Sequence, residues 1–261
     1  MTTAGDVRSR LQTLARIPVL LVGCDYDGTL APIVENPDLA HPNLDSVAAL
    51  RHLALLRDTH VAVISGRSLR DLAALSRLPA EIHLVGSHGS EFDAGFTRDL
   101  TNEQLELLRV IADALDSAAT AGPGFSVEAK PASIAFHYRR ADPTTAAPVV
   151  EGLLDGVART PGVEVKLGKM VIELAVIDTD KGTAIEQLRR QTAADAVIFV
   201  GDDITDEDAF AVLHDADLGI KVGPGDTRAH VRIDGTDDVV NQLELLCEMR
   251  AEWLESNAPA D

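Results

Sequence analysis

The stretch Val19-Leu20-Leu21-Val22-Gly23-Cys24-Asp25-Tyr26-Asp27-Gly28-Thr29-Leu30 decides how the rest of the chain reads. A short apolar run ends abruptly in two carboxylates two residues apart. The same grammar recurs at Val61–Ile64 before Ser65, His83–Val85 before Gly86, Val197–Val200 before Gly201, and Leu218–Val222 before Gly223. Near-continuous β-branched runs of this length suit strands buried on both faces of a parallel sheet. Helical patterns separate several of them, at Leu44–Leu56, Leu69–Leu75, Lys181–Arg190 and Glu207–Leu213. Strand, loop and helix in repetition predict an α/β fold with a doubly wound parallel sheet, whose ligands gather at the carboxyl ends of the strands.

The middle of the chain changes period. After a helical pattern at Glu103–Ala119, Phe125–Arg139 alternates as one antiparallel strand, with Ile134, Phe136 and Tyr138 on one face and Ala135, His137 and Arg139 on the other. A helix is expected from about Ala146 to Arg159, followed by a second alternating stretch, Val163–Leu174. There Met170, Ile172 and Leu174 form the buried face, opposite Lys169, Val171 and Glu173. The expected organisation is therefore a core of residues 1–98 and 178–261 with a smaller α+β insertion at 99–177.

Composition narrows the partners. The chain has 261 residues, with 42 acidic side chains against 23 Lys and Arg, a formal charge of −19. Such a chain repels nucleic acid and anionic membrane, so neither is expected as a partner. Cys24 and Cys247 are too far apart in sequence to form a ligand motif; Cys24 reads as a buried strand thiol. The amino-terminal residues Asp6, Arg8, Arg10 and Arg16 argue against a signal peptide, and a cytoplasmic location is expected.

Four polar segments carry the chemistry. Asp25 and Asp27 leave the first strand together, with Gly28 allowing a tight turn that brings backbone N–H groups toward an anion. One carboxylate can attack phosphorus while the other moves protons. Read alone, an Asp-x-Asp is more often a surface turn. Ser65-Gly66-Arg67 follows the second strand and offers a hydroxyl and N–H donors to a phosphate oxygen. Lys181 stands in the first turn of a helix, where a cation opposes the macrodipole at a cost of about 0.3–1 kcal/mol, a misfit that an anionic partner would explain. Gly201-Asp202-Asp203-Ile204-Thr205-Asp206-Glu207-Asp208 concentrates acids that repel one another unless a cation sits among them. Thr205 and Asp208 are expected to form a capping box, with Asp202 and Asp203 outside it. Hard carboxylate oxygens of this kind suit Mg²⁺.

In this order, each at a strand end, the segments resemble the four motifs of the haloacid dehalogenase superfamily of phosphatases. The resemblance implies a Rossmann-like core with Asp25 as nucleophile, Asp27 as general acid and base, and Thr29 beside them in the first motif. It implies that Asp25, Asp202 and the backbone carbonyl of Asp27 hold Mg²⁺, with Asp206 and Asp203 in support, and that Ser65 and Lys181 stabilise the transferring phosphoryl group. The insertion between the second and third motifs matches the cap placement of the C2 group. Finer matches make the chain similar to trehalose-6-phosphate phosphatases from about residue 19 to residue 232: the first motif through Ala31-Pro32-Ile33, then Gly86-Ser87-His88-Gly89, His137-Tyr138-Arg139, Gly168-Lys169 through Glu173, and Asp206-Glu207-Asp208-Ala209-Phe210. That likeness implies sugar contacts from Lys130, His137, Arg139, Lys169 and Glu173, phosphate contacts from Gly66 and Arg67, and pairing with a trehalose-6-phosphate synthase. His88 either lines the cleft or caps the strand end.

One departure stands out: many relatives follow the cap glutamate with Arg-Pro, whereas Glu173 is followed by Leu174-Ala175-Val176. Val222-Gly223-Pro224-Gly225 lacks the last glycine of a dinucleotide fingerprint, since Arg228 takes its place. The competing enzymatic readings are a phosphatase for sucrose phosphate or a glycosyl phosphoglycerate, and a phosphomannomutase. The non-enzymatic one is a phosphatase-like module that senses a sugar phosphate.

Overall fold

Among the buried runs, Leu20–Cys24, Ala196–Gly201 and Leu218–Val222 are covered along their whole length. Strands covered on both faces need no alternation, which is why they read as unbroken apolar stretches. The computed structural model describes residues 4–92, 100–168 and 170–257. In chain order its elements are α1 (Ala4–Leu14), β1 (Leu20–Cys24), α2 (Leu44–Leu55), β2 (Thr59–Ile64), α3 (Leu69–Ser76), β3 (Ile82–Gly86) and β4 (Glu91–Phe92). Then come α4 (Asn102–Ala119), β5 (Ser126–Ala129), β6 (Ser133–His137), α5 (Pro143–Asp155), β7 (Glu164–Gly168) and β8 (Val171–Ala175). The last are α6 (Lys181–Thr192), β9 (Ala196–Gly201), α7 (Asp206–Ala211), β10 (Leu218–Val222), β11 (Val231–Ile233) and α8 (Thr236–Ser256).

These elements form two compact units. One holds the described residues up to Phe92 together with those from Thr179 onward, and the other runs from Leu100 to Asp178. The expected boundary after residue 98 lies outside the described residues.

The first unit is a sheet of order β11-β10-β9-β1-β2-β3-β4, parallel except for β4. From β1 the chain steps outward through β2 and β3, then returns to add β9, β10 and β11 on the other side. The order therefore reverses between β1 and β9, and a crevice opens outside their carboxyl ends. The register pairs Cys24 with Val200, which sets Asp25 beside the loop that follows Gly201. One sheet face packs Leu20, Val22, Val61, Val63 and Ile198 with Leu50, Leu53, Leu243 and Leu246 of α2 and α8. The other packs Leu21, Ala62, Ile64 and Phe199 with Ile185, Leu188 and Phe210 of α6 and α7. Arg250 of α8 is fully buried and donates to the carbonyls of Ala15, Ile17, Pro18 and Asp58 and to Thr59 Oγ1, tying the end of α1 to the entries of β1 and β2.

The second unit is an antiparallel sheet of order β5-β6-β8-β7. Its apolar face buries Ile134, Phe136, Ile172 and Leu174 against Ile111 and Leu115 of α4 and Leu153 of α5. Each stretch expected as a single strand is a hairpin. Pro131 lacks an N–H for the ladder, and Lys130 N–H to Ser133 O (2.9 Å) closes the turn between β5 and β6. Met170, expected on the buried face, lies in the turn between β7 and β8 with φ of 66° and is 38% exposed. Helix α5 begins at Pro143 rather than Ala146 because Asp142 caps it, accepting from the N–H groups of Thr144 and Thr145. No helix among the described residues is long and apolar enough to cross a membrane. Both cysteines are free, and burial raises the pKa of the Cys24 thiol well above its ordinary value.

Candidate active site

Asp25 leaves β1 almost wholly buried, its N–H held by Val200 O at 2.8 Å. Lys181, the first residue of α6, reaches it across the crevice: its Nζ donates to Asp25 Oδ1 at 2.6 Å and to Asp206 Oδ1 at 2.7 Å. The ammonium is itself buried. Desolvation works against its charge, but Asp25 and Asp206 outweigh that and hold its pKa above the ordinary lysine range. The awkward placement against the α6 dipole is thus offset by two carboxylates, while Asp180 and Thr183 cap the helix reciprocally.

Asp206 uses both oxygens. Its Oδ2 accepts the N–H groups of Asp202 (2.8 Å) and Asp203 (2.9 Å), which folds the acidic loop around it. The expected Thr205–Asp208 capping box does not form. Asp203 takes that role, accepting from Thr205 N–H, Thr205 Oγ1 and Asp206 N–H, since its side chain already faces the start of α7. Asp25, Asp202 and Asp206 each offer one oxygen within 4.8 Å of the others.

Two oxygens in this cluster, Asp25 Oδ2 and Asp202 Oδ1, are buried with no hydrogen-bond partner. Burial pushes Asp25 well up from the ordinary carboxylate range against the pull of Lys181, and burial with Asp206 and Asp203 pushes Asp202 up to about 6. Lys181 pairs with two of the three carboxylates, and the two unpartnered oxygens leave the cluster short of positive charge. A hard divalent cation fits that donor set.

Gly28 has φ of 89°, and a Cβ there would collide with the carboxylate of Asp202. Its N–H donates to Ala31 O at 2.7 Å, which closes the tight turn read from the sequence. Thr29 is fully buried under the same turn, its Oγ1 unpartnered. Asp27 is gripped by Arg67, whose Nε and Nη2 reach the two carboxylate oxygens at 2.6 Å each. Ser65 is buried after β2 and accepts from Arg67 N–H at 3.2 Å. His88 has φ of 52° and sits against Gly66, where a Cβ would lie 2.5 Å from its ring; its N–H donates to Ser65 O at 2.9 Å.

The remaining candidates belong to the second unit. Lys130 Nζ donates to Glu173 at 2.9 Å, Ser133 Oγ to the other Glu173 oxygen at 2.6 Å, and His137 pairs with Glu128 at 2.9 Å. The register runs Glu128–Ala135–Glu173–Lys166 straight across the sheet, so these groups share the polar face. Arg139 is exposed just beyond β6, and Lys169 lies outside the described residues. Sequence reasoning missed Glu128 and Ser133, although the period-two patterns at Ser126, Glu128 and Lys130 and at Ser133, Ala135 and His137 mark them. It also missed Lys221, a cation inside an apolar strand run, buried with its Nζ on the backbone carbonyl of Asp202.

The sequence model of the trehalose-phosphatase family matches residues 24–244. The chain belongs to the trehalose-phosphatase family. A bifunctional trehalose-6-phosphate synthase/phosphatase of Thermoproteus tenax is 36% identical over 228 residues, which are 85% of this chain and 31% of that protein. The trehalose-6-phosphate phosphatase of Escherichia coli K12 is 32% identical over 246 residues, 91% of this chain and 90% of that one. The C-terminal domain of a Candida albicans trehalose-6-phosphate phosphatase superposes with a TM-score of 0.71 at 25% identity, covering 95% of this chain and 99% of that domain. The chain spans 31–55% of the length of the first three curated relatives it matches.

Proposed function

We propose that this member of the trehalose-phosphatase family is a Mg²⁺-dependent phosphatase that converts trehalose 6-phosphate to trehalose and phosphate. The observation that carries the reading is the pair of buried, unpartnered oxygens on Asp25 and Asp202, set beside Lys181. They suit a cation and an incoming phosphoryl group. Asp25 and Asp202, with the Asp27 carbonyl, would hold Mg²⁺, while Asp206 and Asp203 orient the loop. Bound there, the ion neutralises charge on the phosphoryl oxygens and on the carboxylates around them.

An oxygen of Asp25 attacks phosphorus as the bond from phosphorus to the sugar oxygen breaks, leaving an aspartyl phosphate. Asp27 donates its proton to the departing oxygen. It then takes a proton from the water that attacks phosphorus and frees Asp25. Lys181 and Ser65 stabilise the transferring group, Thr29 supports the turn, and Gly66, Arg67 and His88 line the phosphate side. Lys130, His137, Arg139, Lys169 and Glu173 are the proposed sugar contacts. A cytoplasmic location belongs to the same proposal. So does functional pairing with a trehalose-6-phosphate synthase, which the bifunctional Thermoproteus tenax relative supports.

The test is phosphate release with Mg²⁺ and with EDTA across trehalose 6-phosphate, sucrose 6-phosphate, glucose 6-phosphate and glucosyl phosphoglycerate. A metal-dependent preference for the first supports the whole reading. Preference for another substrate keeps Asp25 and the metal but overturns the sugar. Asp25→Asn is expected to fold normally and lose turnover; near-normal activity would sink the mechanism.

A further inference from the structure

Lys221 is the second buried cation beside the acidic loop. It is the last but one residue of β10, where the register pairs it with Gly201 of β9, one residue before Asp202. Only 4% of it is exposed. A buried ammonium is expected to find a carboxylate, as Lys181 does twice. Lys221 does not: among the described residues its Nζ makes no ion pair, and its hydrogen bond goes to the backbone carbonyl of Asp202. The N–H of that same residue is held by Asp206 Oδ2 at 2.8 Å. Asp202 is thus gripped at both backbone polar groups, and its carboxylate lies over the bare Cα of Gly28 with Oδ1 unpartnered.

We infer that Lys221 is a positioning residue for the divalent metal: it fixes the backbone of Asp202 so that the carboxylate meets Asp25. The inference rests on the metal reading above and deepens it. A competing role would be charge balance, with Lys221 only diluting the repulsion among the acids. The two roles differ in sign. Removing a nearby positive charge that does no positioning tightens binding of a cation, because the site becomes more negative. Removing a strut that orients a ligand weakens it, typically about 10–100-fold.

The experiment is calorimetric titration of Mg²⁺ into the metal-stripped full chain, for wild type, Lys221→Met and Lys221→Arg, with melting curves in EDTA beside it. Lys221→Met is expected to bind Mg²⁺ about 10–100-fold more weakly. Lys221→Arg, which can still donate to the Asp202 carbonyl, is expected to recover most of that loss. Unchanged or tighter binding by Lys221→Met overturns the inference. If Lys221→Met melts below the titration temperature, Lys221→Gln, uncharged and too short to reach the carbonyl, is titrated instead with the same two readings. Wild type that fails to bind Mg²⁺ overturns the metal reading itself, whereas wild type that binds and a variant that binds equally well overturn only the role of Lys221.

Discussion

Arg67 donates to both carboxylate oxygens of Asp27 at 2.6 Å each, with its guanidinium 5.6 Å from the centroid of the Tyr26 ring. A planar fork of this kind sets the angle of the carboxylate as well as its position. Tyr26 is anchored in turn through its hydroxyl, which donates to Ala40 O at 2.8 Å. Lysine at position 67 keeps the charge and loses the fork. The expected outcome for Arg67→Lys is a fall in kcat of about 10²-fold, the scale of a small misplacement of a reacting group, with KM little changed. A rise in KM at constant kcat would leave Arg67 only its place on the phosphate side and remove its role in holding Asp27.

Gly28 is the point where the first motif meets the acidic loop. An alanine there takes on a left-handed backbone, costing about 1–2 kcal/mol, and drives its methyl group into Asp202. Gly28→Ala should therefore remain folded but need about tenfold or more Mg²⁺ for half-maximal phosphate release. The check is a Mg²⁺ titration of activity beside a thermal melt. A lowered melting temperature with unchanged metal demand would count against the contact with Asp202.

Glu173 links protonation to stability in the second unit. Burial alone would raise its pKa, but the Lys130 ammonium and the Ser133 hydroxyl outweigh burial and hold it below the ordinary value of 4.5. A depressed carboxylate contributes stability that is complete above that ordinary value and is lost as pH falls through the lower, folded-state one. Glu173→Gln removes one partner of a buried pair and should cost about 3–5 kcal/mol near neutrality. Its stability should then fall less steeply than wild type on acidification below 4.5. Denaturant midpoints measured across that range decide it, and parallel curves would mean Glu173 carries none of the acid sensitivity.

Arg250→Met should destabilise the first unit without touching the chemistry. Several of the backbone carbonyls it serves would be left buried without a donor, each at a cost of about 1–3 kcal/mol, so a loss of at least about 3 kcal/mol is expected. Denaturant unfolding measures the loss, and kcat at a temperature where the variant is folded should match wild type. A loss below about 1 kcal/mol would mean water replaces the guanidinium without cost.

The sequence by itself determined the sheet and which polar segments stand at its strand ends. Short β-branched apolar runs bounded by glycine, such as Val197–Val200, suit a strand covered on both faces, and each announced a polar loop at its end. Asp25, Ser65, Lys181 and Asp202 were legible for that reason: each follows a strand or opens a helix at the same edge of the sheet. What only the tertiary structure decided is which groups hold which. Arg67 on Asp27, Lys221 on Asp202 and Arg250 on the carbonyls near Ala15 join residues from 19 to 235 positions apart. The hairpin at Pro131 and the turn at Met170 leave a mark that a single-strand reading passes over: the register pairs Val127 with Phe136 and Leu167 with Ile172, so the inward side changes from odd to even positions across each turn. Periodicity records which face of an element is buried; the strand order then decides which loops share a crevice, and with it the partners of every charge there.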